Sequence, residues 1–144
     1  ARHQSQLDQV SYPLFSIFLC SDLAPLESFT NLQQLIIDYN HVKNFNSLPQ
    51  MDKLTVMSIS YNQLGSEKQI LEELSVKAPK LEHINLMKNP CNPVFTNEIG
   101  YAQFRARFSI WFPTLKTLDG TDFKDDKTII DQMRPMEQQK RVKA

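Results

Sequence analysis

A nine-residue pattern, Leu-x-x-Leu-x-Leu-x-x-Asn, returns three times along this chain and sets what it can fold into. The copies are Leu32-Gln-Gln-Leu35-Ile-Ile37-Asp-Tyr-Asn40, Leu54-Thr-Val-Met57-Ser-Ile59-Ser-Tyr-Asn62 and Leu81-Glu-His-Ile84-Asn-Leu86-Met-Lys-Asn89, and their first residues lie 22 and 27 positions apart. A degenerate copy, Leu14-Phe-Ser-Ile17-Phe-Leu19-Cys-Ser-Asp22, precedes them, and a partial one, Leu115-Lys-Thr-Leu118-Asp119, follows. Self-similarity at this period marks an architecture in which each unit stacks only on its neighbours.

The alternation inside each copy predicts a short strand with every second side chain turned inward. Leu35 and Ile37, Met57 and Ile59, and Ile84 and Leu86 then stack into one core. A single unit cannot bury that face, so neighbours must cover one another. Asn40, Asn62 and Asn89 stand where the chain leaves the strand. A buried turn strands backbone N–H and C=O groups, and an asparagine amide bonds both kinds. A ladder of these three amides is therefore expected as a structural device.

Between strands the spacing changes. Val42, Phe45, Leu48 and Met51 recur every third residue, as in a 3₁₀-like or extended connection. Over residues 66–78, Ile70, Leu71 and Leu74 fall at helical spacing, opposite Glu67, Glu72 and Glu73, with Ser66 as N-cap and Pro79 as the stop. A second helix is expected over about 98–112, after the proline-marked loop Pro90-Cys-Asn-Pro93. Its face carries Tyr101, Phe104, Phe108 and either Trp111 or Phe112, the geometry of a lid over the last repeat. Asp125-Asp126 reads as an N-cap pair for a helix over 127–133, and Arg134, Lys140, Arg141 and Lys143 as a solvated, modestly basic tail.

Composition closes several functional classes. Sixteen Lys+Arg balance sixteen Asp+Glu, which argues against a general nucleic-acid binder. The three glycines, Gly65, Gly100 and Gly120, cannot form a Gly-rich phosphate loop. Two cysteines and three histidines fall short of an ordinary zinc site. No nucleophile motif is present, and His83 is the one histidine expected on the exposed sheet face, so neither an enzyme nor a cofactor site is expected. Cys20 and Cys91 read as scattered reduced thiols of a cytoplasmic chain. The apolar run Tyr12–Cys20 is too short for a membrane span and reads as a buried strand, Pro13 and the preceding Asp8 making it a poor signal peptide.

Asn89-Pro90, Phe104-Arg105, Pro113, Leu115, Leu118 and Asp119 together resemble the leucine-rich-repeat proteins closed by a short C-terminal cap, whose pattern is Asn-Pro, then Tyr-Arg, then Pro-x-Leu-x-x-Leu-Asp. Phe104 replaces the usual Tyr and removes a hydroxyl that could bond across the cap. The family includes spliceosomal U2 A-prime-type, axonemal dynein light-chain-type and phosphatase-regulating members. The spacing is most similar to the melanocyte differentiation-associated subfamily: Leu23, Leu26 and Phe29 as a truncated first repeat, the acid-rich helix before Ala78-Pro79-Lys80-Leu81-Glu82, and the Tyr101-x-x-Phe104-Arg105 run. The resemblance covers about 14–123 and implies an α/β leucine-rich-repeat solenoid with a curved parallel β-sheet and a C-terminal helical cap. In domain terms this is an N-terminal arm at 1–13, repeats with cap at 14–120 (cap about 90–120), and a C-terminal helix and tail at 121–144.

The concave sheet face would present Ser16, Phe18 and Cys20; Gln34, Ile36 and Asp38; Val56, Ser58 and Ser60; His83, Asn85 and Met87; and Thr117 and Asp119. Few of these are charged, and contiguous exposed apolar groups mark an interaction site. Tyr39 and Tyr61 hold one position in adjacent repeats and should be neighbours, as interface anchors. The expected partner-binding set is Phe18, Ile36, Tyr39, Val56, Tyr61, His83 and Met87, and the cap set Phe104, Arg105, Trp111 and Asp119. The reading is a non-catalytic adaptor, a subunit of a larger complex that grips another protein, with no small-molecule substrate and nucleic acid met only indirectly if at all. The subfamily resemblance implies membrane trafficking with a Rab-type GTPase; the axonemal resemblance implies a ciliary or cytoskeletal assembly; the U2 A-prime resemblance implies a ribonucleoprotein subunit.

Overall fold

The structure, a computed structural model, describes residues 22–143 and the backbone of Ser11–Pro13. It is a mixed α/β fold around one six-stranded sheet. Strands β1 (Ser11–Pro13), β2 (Gln34–Ile36), β3 (Val56–Ser58), β4 (His83–Asn85) and β5 (Thr117–Leu118) lie parallel in chain order, and β6 (Thr121–Asp122) returns antiparallel on β5. Each strand is short because each needs to supply only one inward residue between two outward ones. Register places Leu35, Met57, Ile84 and Leu118 side by side, and all four are buried. Burying such a side chain stabilises the fold by about 1.5–3 kcal/mol.

The strand pairing with β2 differs from expectation. Tyr12 stands opposite Leu35, where the degenerate repeat put Ile17, so β1 falls inside the stretch read as an arm. Pro13 fits there because β1 is the outer strand among the described residues, and an outer strand tolerates a missing N–H donor. Residues 14–21, with Phe18, Ser16 and Cys20, lie outside the described residues.

Behind the sheet, Leu23 and Leu26 enter the core from a 3₁₀ helix, Ala24–Phe29. Val42, Phe45, Leu48 and Met51 are buried at their three-residue spacing in an irregular connection. Helix α1 (Glu67–Lys77) starts at Ser66, whose Oγ accepts from the Gln69 N–H at 3.2 Å, and buries Ile70, Leu71 and Leu74. Helix α2 (Glu98–Trp111) starts at Asn97, whose side chain accepts from the Gly100 N–H. Phe104 and Phe108 on α2 join the core formed by Ile84, Leu86 and Leu118.

Helix α3 (Lys127–Lys143) runs ten residues beyond the expected end and passes through Pro135. Pro135 and Asp131, whose carbonyl loses its helical donor, are both exposed residues, which moderates the penalty. Ala106, Ile110 and Ile130 form a second small core between α2 and α3. The expected solvated tail is thus helix, and Glu137 is buried there, accepting from Trp111 Nε1 at 3.0 Å. Asp126 stands directly before this helix, its carbonyl accepting from the Ile130 N–H as a cap residue's does, and its carboxylate takes Arg105 at 3.0 Å from Nη2.

The asparagine ladder is present. Asn62 Nδ2 donates to the carbonyls of Ile59 and Ser60 in its own repeat and of Ile37 in the preceding one, while its Oδ1 accepts from the Val42 N–H. Asn89 repeats this with Leu86, Met87, Ile59 and the Leu64 N–H. Asn40 donates to Ile37 and Asp38. Asn62→Ala strands several buried groups at once, and a loss of roughly 1–3 kcal/mol is expected. A thermal melt checks this: a Tm equal to that of the unchanged protein would deny the ladder its role.

Candidate functional site

The open face of the sheet, turned away from the core, is lined by half-buried side chains: Gln34 and Ile36 on β2, Val56 and Ser58 on β3, His83 and Asn85 on β4. Asp38 and Met87 extend it just past the strands and are also half-buried. His83 Nδ1 lies 2.7 Å from Thr117 Oγ1. Two residues expected to be open on this face are buried. Ser60 is one, a small side chain in the repeat position between Asp38 and Met87, its N–H donating to Asp38 Oδ1. Asp119 is buried too, because it occupies a two-residue turn between β5 and β6.

That turn was written in the sequence. Asp119 (φ 53°) and Gly120 (φ 88°) both adopt left-handed backbone, as the tight hairpin Asp-Gly favours. It swings the Asp119 carboxylate back under the sheet. Oδ1 accepts from the Leu86 N–H at 2.7 Å, and Oδ2 accepts from Asn92 Nδ2 and the Tyr101 hydroxyl. Asp119 therefore stands in for the asparagine that a further repeat would supply. The hydroxyl missing at Phe104 is provided one helical turn earlier by Tyr101, and donating to Asp119 raises the Tyr101 pKa, after desolvation as the larger cause. Arg105 is buried and donates to the carbonyls of Leu118, Thr121 and Asp122, so it clamps the hairpin. Phe112, not Trp111, continues the aromatic row Tyr101–Phe104–Phe108.

Along the rim where the strands end, Tyr39 and Tyr61 stack with ring centroids 4.3 Å apart and planes 12° from parallel. They are 59% and 44% exposed. Both, with Lys88 in the same place one repeat on, hold left-handed backbone at φ 59°, 56° and 59°, a conformation that costs a non-glycine residue about 1–2 kcal/mol. The turn into the buried asparagine imposes it. Loss of hydration raises the Tyr39 pKa, aided by Tyr61 and the charge of Asp38. Lys88 Nζ lies over the Phe95 ring, 4.4 Å from its centroid, and Phe95 and Ile99 are both exposed. Sequence reasoning missed Phe95, because only the fold brings the loop after Asn89 beside this rim.

A groove of about 500 Å³ lies on the opposite side, between α1, α2 and α3, lined among others by Leu71, Trp111, Arg107 and Glu137. Arg107 pairs with Glu67 across it. Among the described residues no cluster of three or more His, Cys, Asp or Glu could hold a metal ion, and no helix is long and apolar enough to cross a membrane.

No family model matches the chain. It is similar to the human leucine-rich melanocyte differentiation-associated protein, 28% identical over 102 residues, which cover 67% of this chain and 52% of that protein. The chain thus spans about half the length of this curated relative. Among solved structures it is similar to the Drosophila melanogaster SNF/U2A' complex (TM-score 0.51, 20% identity, 81% of this chain and 77% of that one). It is also similar to the Chaetomium Mex67:Mtr2 subunits (TM-score 0.50, 20% identity, 83% and 68%). This is a leucine-rich-repeat fold. The asparagine ladder and the strand register are its repeats seen in three dimensions.

Within this leucine-rich-repeat chain Cys91 packs against the core, its N–H donating to the Leu64 carbonyl. Desolvation pushes its thiol up to about 12, with the charges of Glu67 and Asp119 acting in the same direction. A thiolate is the reactive form, so Cys91 should resist alkylation by iodoacetamide at pH 8 and become reactive on unfolding. Peptide mapping by mass spectrometry checks this; rapid native labelling of Cys91 would contradict its packing.

Proposed function

We propose that this chain is a non-catalytic adaptor that grips another protein with the open face of its sheet and the rim beyond it. The observation that carries this reading is the stacked, exposed Tyr39–Tyr61 pair beside half-buried Ile36, Val56 and Met87. Exposed tyrosines held rigidly present large amphipathic area at little entropic cost, the quality of interface anchors. The strands are roughly 4.8 Å apart, so these groups form one patch. We assign His83 to it through its place on β4, and Phe18 stays in the proposed set on sequence grounds.

The similar structures are themselves complexes, SNF/U2A' and Mex67:Mtr2, which supports a protein partner. The likeness to the melanocyte differentiation-associated protein supports a setting in membrane trafficking, with a Rab-type GTPase as the proposed partner and the cytoplasm as the proposed location. The likeness to the SNF/U2A' complex supports a second reading, a ribonucleoprotein subunit. A ciliary or cytoskeletal assembly is the third. The balanced charge favours the first over the second. Capture of partners from the native source with and without RNase separates them.

The anchors can be tested without unfolding the chain. Tyr39→Asn/Tyr61→Asn removes both rings while keeping a residue type that accepts left-handed backbone. Hot-spot truncation commonly costs about 2 kcal/mol or more, some thirtyfold in affinity, so partner capture should be lost while the melt stays cooperative. Val76→Ser on exposed α1 surface is the control and should change little. Lys77 would be a poor control, since its Nζ donates to the carbonyls of Phe45 and Asn46. Capture surviving the tyrosine change but not the α1 change would move the site to the helical side.

A further inference from the structure

The rim carries a charge pattern that narrows the chemistry of its partner. Asp38 precedes Tyr39 and reaches from β2 toward β3, along the sheet side of the tyrosine pair. Its Oδ1 accepts from Ser58 Oγ and from the Ser60 N–H, both at 2.8 Å. These two bonds anchor the carboxylate on β3, one residue before Tyr39 and beside the strand that leads to Tyr61. Its other oxygen takes no hydrogen bond from the described residues, and no Lys or Arg among them pairs with it. Past Tyr61, Lys88, the next residue in the row, has its ammonium over Phe95. The two stacked phenol rings thus have an uncompensated carboxylate along their sheet side and, past Tyr61, a cation already occupied by a ring.

Resting on the interaction surface proposed above, we propose that Asp38 and the Tyr39–Tyr61 stack form a recognition site for an arginine side chain on an extended segment of the partner protein. Ring faces carry negative potential and attract a cation placed over them. A guanidinium is planar, so it can lie on a phenol ring and still direct N–H groups at a carboxylate; an ammonium offers no matching plane. Asp38 supplies the acceptor, and its fixed oxygen means that little ordering remains to be done on binding. The same charge opposes a phosphate backbone. The open face at Gln34, Ile36, Val56, Ser58, His83 and Asn85 holds no Lys or Arg to attract one. An arginine-bearing peptide is therefore favoured over a nucleic acid, although stacked tyrosines alone would suit unpaired bases.

The test titrates the whole chain with N-acetyl-arginine amide, following the Tyr39 and Tyr61 ring resonances by NMR. N-acetyl-citrulline amide, N-acetyl-lysine amide and a short oligouridine are the comparison probes. Saturable shifts with the arginine probe at millimolar concentration are expected, with citrulline, which has the shape but no charge, about tenfold weaker or more. Asp38→Asn keeps the acceptor oxygen for Ser58 and Ser60 and removes the charge. It should weaken the arginine response about tenfold while the Leu35 and Met57 methyl resonances stay in place. Equal responses to arginine and citrulline, an arginine response indifferent to Asp38→Asn, or oligouridine alone shifting the rings would each overturn the proposal. If Tyr39→Asn/Tyr61→Asn abolishes partner capture but arginine moves nothing, the interaction surface stands and the arginine site falls. If that change leaves capture intact, the surface itself falls.

Discussion

Everything in this chain hangs from the asparagine amide that closes each strand. Asn62 and Asn89 each donate to carbonyls of their own turn and of the repeat before, and accept an N–H from the connection before it. One side chain thus satisfies backbone groups that would otherwise be buried without partners. The apolar stack of Leu35, Met57, Ile84 and Leu118 supplies the driving force, but it is non-directional. The amides add what burial lacks, a fixed offset between units. They also force the residue ahead of each into left-handed backbone, and so turn Tyr39, Tyr61 and Lys88 out along the rim. The proposed binding surface is in this sense a by-product of how the turns are satisfied.

The repeats, the asparagine ladder and the three helix starts were legible because each rests on residues close together in sequence. Ser66 three residues before Gln69, and Leu35 two before Ile37, are local facts. The errors came where a local reading met a long-range partner. Asp119 was read as an outward strand residue, although Asp119-Gly120 between Leu118 and Thr121 is itself a hairpin signal. Its carboxylate turns inward to Leu86, Asn92 and Tyr101, far away in the chain. Glu137 looked like one charge in a polar tail, yet Trp111 draws it into a buried bond. Nothing near Glu137 in sequence announces that pairing. The neighbourhood of Tyr39 and Tyr61 followed from their shared repeat position; the part played by Phe95 and Lys88 needed the loop to be seen.

The C-terminal third works as one cap. Phe104 and Phe108 cover the last repeat from below, Arg105 ties α2 to the β5–β6 hairpin and to Asp126 at the start of α3, and Glu137 returns α3 to Trp111. Arg141 adds a bond to the Ile110 carbonyl, where α2 ends. Each link joins two elements, so α3 belongs with the cap rather than trailing from it. The groove bearing Leu71 and Trp111 is the seam that remains where α1 meets this block.

The Asp119–Gly120 turn also bounds how such a chain can lengthen. By reversing direction, β6 occupies the edge on which another parallel strand would have docked, and Asp119 uses the contacts that a following asparagine would need. A further parallel repeat would therefore have to enter ahead of β5, bringing its own asparagine and displacing the cap as a block. The 22- and 27-residue steps already present, one with a plain connection and one with α1, show that the lattice accepts units of unequal length. Lengthening the parallel stack is in these terms an insertion process, because a repeat added after the hairpin would meet the antiparallel β6 instead of β5.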